Sequence, residues 1–460
     1  MMDKPKINLQ YFILFCILFK FFFLSLSWYS YFAFVLAIYQ FCMVFVSVNH
    51  VIPIRYLSGF MMCLQMLVGP ALAYNGLDEF QDGYNKMQIS ESDYFSFVLP
   101  AVILFILGLH VLSRRLPGEK PDIERIKNYV RNYPMMPYNL IVIGFVSSLV
   151  SIYFSSDLAF VFVVISGFKF VGVFLLIIGS KGLKPLPLFL VYGSIISSSI
   201  AQGMFFDLLT WLTFLGSVYA LKFKPKTNIK IVYVFSFILF AVIIQQLKGD
   251  YRDATWKQGE QANLETIQKA IKKKEEKTGI FSESSLGASN LRINQGYIIT
   301  NIMKTVPDKV PFENGDEMKL ILESSILPRV LAPNKLNSGD RFIFMKYSGI
   351  PVLAGTSMAL SSVGDAYINF GTTGGCIFMF FYGLMFNLFL NIFQSRSNEF
   401  PILILLACVA FYYPIRPDCE LQTILGHLFK STIIIFTMIN LWKYKFRVNS
   451  KKIKFKFSEI

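Results

Sequence analysis

Charge is scarce in this chain. Asp, Glu, Lys and Arg make up 16% of its 460 residues, against about 25% in an ordinary soluble domain. So few charges cannot cover a soluble fold of this length. Histidine is scarcer still: His50, His110 and His427 lie far apart and form no metal motif. The six cysteines offer neither zinc spacing nor a disulfide framework. Five of them (Cys16, Cys42, Cys63, Cys376, Cys408) lie in apolar runs as small core residues, and Cys419 alone sits in a polar connection. No internal repeat is evident. These absences exclude soluble, disordered, collagen-like and disulfide-scaffold classes. Apolar residues dominate instead, at 54%, with 48 Phe and 23 Tyr. The class that remains is an all-α integral membrane protein.

A helix needs about 20 mostly apolar residues to cross a bilayer. Such runs predict about twelve transmembrane helices, near 10–28, 31–49, 52–73, 95–113, 139–154, 157–179, 185–201, 204–221, 230–247, 370–393, 400–413 and 422–442. The formal net charge of +15 reads as a topology signal, because no basic module stands free of the apolar runs to bind nucleic acid. With Lys4 and Lys6 inside, the connection 114–138 (six Lys/Arg), Lys222, Lys224, Lys226 and Lys230, and the tail 443–460 (seven Lys/Arg) all fall in the cytoplasm. The connection 74–94 falls outside, with Lys86 against Asp78, Glu79, Asp82, Glu91 and Asp93. This is the positive-inside bias, and it places both termini in the cytoplasm.

The expected organisation has four parts: an N-terminal membrane bundle of about nine spans (1–247), one large extracytoplasmic loop (248–357), a C-terminal bundle of about three spans (358–442) and a basic cytoplasmic tail (443–460). The loop carries 16 Lys/Arg and 13 Asp/Glu, and a segment this long between spans is more often functional than a connector. Within it, 257–278 suits a polar surface helix, and 282–290, SESSLGASN, reads as a flexible connection. Pro307, Pro311, Pro328 and Pro333 stop long helices. The run from Ser357 to Phe393 exceeds one span, which predicts a broken or re-entrant entry with Asp365 near the outer surface. An acid at that depth needs solvent, a paired cation or a function.

KGDYRD (248–253), RINQGY (292–297), SILPRVLAPNK (325–335), GDAYINFG (364–371) and YYPIRPD (412–418), in this order, resemble the bacterial O-antigen and oligosaccharide repeat-unit polymerases, the Wzy-type family. The resemblance covers about the C-terminal two-fifths; many relatives would carry Glu where Asp365 stands. It implies an integral-membrane, C-type-like glycosyltransferase without cofactor or metal. Such an enzyme moves a growing glycan from its polyprenyl diphosphate to an incoming lipid-linked repeat unit at the outer face of the bacterial plasma membrane. A chain-length regulator and a flippase are the partners it implies.

That chemistry needs cations for the departing diphosphate. Arginine suits, since its planar fork binds phosphate oxygens in pairs. The candidates are Arg252, Arg292 and Arg416, with Lys248 and Lys335 as point charges, and Arg329 as a catalytic cation. The bland alternative for each is a loop ion pair. The acceptor hydroxyl needs a base or an oriented acceptor, and Asp365 is the first choice. Asp253 and Asp418, beside favoured arginines, suit plain salt bridges better. His427 suits a buried structural role. Three rivals remain: an O-antigen ligase, with the same donor but a different acceptor, a lipid-linked oligosaccharide flippase, and a non-catalytic subunit that organises a polysaccharide assembly complex. The long asymmetric loop counts against the flippase, which would line a mid-bilayer cavity with its charges.

Overall fold

A computed structural model describes residues 7–111, 120–154, 156–180, 182, 184–257, 259–277, 282–327, 335–336, 339–353 and 357–446. Among them the chain is helical and holds no strand. Among the described residues nine helices are long and apolar enough to cross a membrane: Trp28–Ser47, Ile54–Tyr74, Glu91–His110, Met136–Tyr153, Leu158–Gly179, Pro185–Gln202, Thr227–Thr255, Ser361–Arg396 and Leu421–Leu441. The other three expected spans coincide with lesser helices. Leu9–Phe22 has 14 residues, Phe206–Phe223 carries Asp207 and Lys222 near its ends, and Leu403–Ala410 has only eight residues, all buried.

Lipid is as apolar as the side chains it meets, so membrane helices associate by close packing of small residues. Gly108 of Glu91–His110 lies against the backbone of Phe380, and Gly383 of Ser361–Arg396 lies against the backbone of Phe105. A Cβ at Gly144 would stand 2.6 Å from the Lys169 nitrogen. Serines set helix starts: Ser27 and Ser90 accept from the amides of Ser30 and Asp93, as N-caps do.

The bundle has two chemically different ends. At one, the basic connections meet. Arg125 Nη1 donates to Asn398 O over 2.7 Å, Lys222 Nζ to Ile178 O over 2.8 Å, Asn49 Nδ2 to Pro225 O over 3.2 Å, and Tyr133 Oη to Tyr444 O over 3.0 Å. At the other end the segment after Thr255 forms a layer of short helices: Leu264–Lys277, Glu283–Ile293, Gly296–Thr305, Asp316–Ile326 and Arg341–Ser348. Leu264–Lys277 matches the expected surface helix.

Glu283–Ile293 stands where a flexible connection was expected. Ser282 caps it by accepting from the Ser285 amide over 3.3 Å. Its small residues serve packing rather than looseness: a Cβ on Gly287 would come within 2.8 Å of Phe80 Cβ.

Ser361–Arg396 is broken at Gly371, whose φ of 62° and ψ of −161° favour glycine. The expected broken entry is therefore present. Its first part docks into the helical layer: Asn369 Oδ1 accepts from the Met318 amide (2.9 Å), and Ile368 O accepts from the Glu313 amide (3.0 Å).

Thr227–Thr255 holds to the bundle by hydrogen bonds near its two ends. Lys230 Nζ reaches Phe45 O at one (3.2 Å), and Tyr251 Oη reaches Ile200 O at the other (2.8 Å). None of its most apolar 18-residue stretch is buried.

Candidate functional site

The site begins at a widened turn inside a membrane helix. Leu64–Val68 winds as a π-turn within Ile54–Tyr74, a form that occurs mostly as single-turn bulges, frequently at functional sites. Carbonyls in and just after it accept from outside. Gln65 O takes the Gln295 amide (3.1 Å), Met66 O the Tyr94 hydroxyl (2.7 Å) and Gly69 O the Asn290 amide group (3.0 Å). Two glycines make the contact close enough: a Cβ on Gly69 would lie 2.7 Å from Asn294 Cα, and one on Gly296 would lie 2.8 Å from Tyr94 Oη. The motif RINQGY is thus clipped onto the bundle, which fixes the backbone that bears Arg292.

After the buried helix Leu403–Ala410 the chain turns irregularly, as Pro414 and Pro417 require. Irregular backbone at membrane depth is tolerated only where protein or a cavity surrounds it. This turn carries Arg416. Its guanidinium stacks 3.9 Å from the Phe206 ring centroid and lies 3.5 Å from Asp418 Oδ2 and 3.8 Å from Asp207 Oδ1. Burial acts against its charge, but Cys419, Asp418, Tyr412 and Asp207 outweigh that and raise its pKa above the ordinary value. Its Nε is buried without a hydrogen-bond partner among the described residues.

Three further cations gather with Arg416. Lys248 lies within electrostatic reach of Arg252, Arg292, Arg416 and Asp418. Arg252 Nε donates to Gly203 O over 3.0 Å. Arg292 Nη2 would be 3.4 Å from a Cβ on Gly249. Like charges this close disfavour one another, and Asp418 and Asp207 stand among them against Arg416. Such a cluster is ready for an anion with several oxygens.

Beside the cations is a cavity of about 290 Å³. Gln295, Tyr297, Ser357, Asp418, Glu420 and Thr423 supply its polar lining. Burial raises the Tyr297 hydroxyl to about 12 and the Cys419 thiol to about 12, so both stay protonated at neutral pH. A second space, of about 30 Å³, is lined by Asp365, Glu317, Asp340 and Glu420 among others. Asp365 is 6% exposed and faces the Leu421 amide at the start of Leu421–Leu441. Glu420 and Met358 line both spaces.

Four of the five cations expected to bind diphosphate, Lys248, Arg252, Arg292 and Arg416, therefore converge. Lys335 does not join their contacts; its Nζ donates to Leu327 O over 3.2 Å, capping the end of Asp316–Ile326. Arg329 lies outside the described residues. Asp418 is a salt-bridge partner of Arg416, as its neighbourhood suggested. His427 is buried inside the bundle, with its Nε2 2.8 Å from Val409 O. Sequence reasoning missed Glu420, Glu317, Asp207 and Gln65. Gln65 had a signal, a lone amide in an apolar run; it is 4% exposed and its Nε2 reaches Asp418 Oδ1 at 3.5 Å. No family model matches the chain, and no curated protein or solved structure matches it.

Proposed function

We propose that the chain polymerises polyprenyl-diphosphate-linked oligosaccharide repeat units at the outer face of a bacterial plasma membrane, for a surface polysaccharide. In this reading twelve passes carry the chain, the helical layer is extracytoplasmic, and both termini are cytoplasmic. One observation carries it: Lys248, Arg252, Arg292 and Arg416 come from three separate sequence segments and meet at one place. They would hold the diphosphate of the donor and take up its developing charge as the glycosidic bond breaks. Preorganised donors in a water-poor site contribute several kcal/mol, roughly, to such a barrier.

Two further features support the reading. The cations sit at the end of the bundle away from the basic connections, where a leaving group outside the membrane would be held. The largely unburied apolar face of Thr227–Thr255 leads to Lys248 and Arg252 and offers the polyprenyl chain a path from the bilayer. A flippase would need its charges near mid-bilayer instead. A ligase would share this donor site, and the acceptor separates the two.

The test is reconstitution in liposomes with lipid-linked repeat units extracted from source-strain cells that lack the chain. A ladder of longer lipid-linked glycans is the expected product. Repeat units left unextended by an intact, monodisperse protein would contradict the proposal.

A further inference from the structure

We infer that Lys169 is the docking point for another membrane helix, one that carries an Asp or Glu inside the bilayer. The inference does not depend on the polymerase reading and concerns a lysine that the donor site leaves unused.

Depth comes first. Lys169 is the twelfth of the 22 residues of Leu158–Gly179, and Gly144, which faces it, is the ninth of the 18 of Met136–Tyr153. Both therefore stand near the middle of their spans, roughly 12–17 Å of helix from either end. A Cβ on Gly144 would come within 2.7 Å of Lys169 Cβ, so the two helices touch here. From this contact the lysine stem runs one turn along Met136–Tyr153, and Nζ donates to Ser148 Oγ over 3.1 Å. Just before Lys169 its own helix tightens. The Gly167 amide donates to Val164 O (3.1 Å), and the Phe170 amide donates to Gly167 O (3.2 Å). A mid-helix stretch bonded in this way often marks a functional position.

A charged side chain at such depth is costly and is normally paired. Around Nζ the described residues supply only neutral groups: the Ser148 hydroxyl, and the rings of Phe145 and Phe170 with centroids at 5.2 and 5.6 Å. No carboxylate among the described residues forms an ion pair with it. The side chain is not sealed off either. Lys169 and Ser148 are half-buried. Beside Ser148 on the same helix, Leu149 and Ile152 are exposed, and Val163 is exposed on the other. In a bilayer this apolar margin meets lipid, where a further helix can lie and bring a carboxylate to Nζ.

Charge complementarity selects the occupant. Lipid phosphates rest at the membrane surface, away from mid-span. A second copy of this chain has no acid at the matching depth: in the nine spans Asp and Glu stand only towards the ends, at Glu91, Asp93, Asp250, Asp253 and Asp365. A different membrane helix with a buried acid supplies the missing charge. Each group would otherwise remain unpaired in hydrocarbon, which favours the pairing.

The experiment places the labelled full-length protein in phosphatidylcholine liposomes. Energy transfer to labelled Leu/Ala transmembrane peptides, with one Glu, Gln or Leu inside the apolar stretch, measures binding. Wild type is expected to bind the Glu peptide roughly 3–30-fold more tightly than the Leu peptide. Lys169→Met is expected to abolish that preference and Lys169→Arg to keep it. Should Lys169→Met fail to accumulate, Lys169→Gln, which can still bond to Ser148, takes its place. Equal binding of the three peptides by wild type, or a Glu preference that survives in the uncharged variants, would overturn the inference. Loss of the preference when phosphatidylglycerol is added would assign the lysine to lipid headgroups instead. Lys169-dependent self-association without peptide would assign it to a second copy. Either result overturns the inference, and none of these outcomes touches the polymerase reading.

Discussion

The backbone amide of Gln295 donates to the backbone carbonyl of Gln65 over 3.1 Å. Together with the bond from Asn290 Nδ2 to Gly69 O, it joins the polar helical layer to the interior of a membrane helix. On one side of it, Gln65 reaches the carboxylate that pairs with Arg416. On the other, three residues back along the chain, stands Arg292. The donor site is thus assembled across a seam, and its geometry depends on how tightly that seam closes.

Closing the seam requires glycine at 69 and 296. Gly69→Ala would push a Cβ to 2.7 Å from Asn294 Cα, and overpacking of this kind costs about 1–3 kcal/mol. Gly69→Ala and Gly296→Ala are expected to lower the Tm of the detergent-purified protein and to reduce polymer yield together. A thermal-shift series checks this. As a control, Gly193→Ala is expected to leave both unchanged, because nothing lies within 4 Å of a Cβ there.

Arg416 is bound by shape as well as charge, stacked on Phe206 and facing Asp207 and Asp418. Lysine keeps the charge but loses the fork and the stack. Arg416→Lys is therefore expected to lose most of the activity, roughly 10²-fold or more. A polymerisation assay at saturating donor measures it.

Acid should loosen the helical layer through Glu313. Its carboxylate accepts from Lys346 Nζ (2.8 Å) and Tyr347 Oη (2.7 Å). These bonds, Lys346 first, hold its pKa below the ordinary value of 4.5. A carboxyl depressed on folding adds stability that is present above its unfolded pKa and lost as pH falls through its folded one. Glu317 acts in the opposite sense, since burial raises its pKa. Glu313→Gln is expected to lose less stability than wild type between pH 4.5 and the lower folded value. Tm against pH for the two proteins decides the point.

Orientation has its own test. Single cysteines at Lys309 and Lys226, in a background whose native cysteines are replaced by Ala or Ser, should separate cleanly in intact cells. An impermeant maleimide is expected to label position 309 and to spare position 226 until the membrane is broken. The reverse pattern would place the helical layer in the cytoplasm.

Much of this was legible in the sequence. The apolar runs located the nine strong spans, and the motifs RINQGY, KGDYRD and YYPIRPD held the cations that converge. The over-long run before Phe393 announced the break at Gly371. Other features were hidden for physical reasons. An apolar run has the same composition whether it faces lipid or protein, so the run 400–413 did not show that its helix, Leu403–Ala410, is only eight residues long and wholly buried. Small residues signal a loop by propensity, yet Ser282, Gly287 and their neighbours form a helix because Phe80 packs on them. Glu420 was missed because the carboxyls that share its space, Asp365 and Glu317, are distant in sequence and brought near only by the fold.

The central claim is that these four cations grip a lipid-linked diphosphate, and binding of undecaprenyl diphosphate to the purified protein tests it most directly. Wild type is expected to bind it more tightly than undecaprenol, and Arg292→Ala with Arg416→Ala is expected to abolish that preference. Equal affinity for the two lipids in wild type, or an unchanged preference in the double variant, would contradict the account.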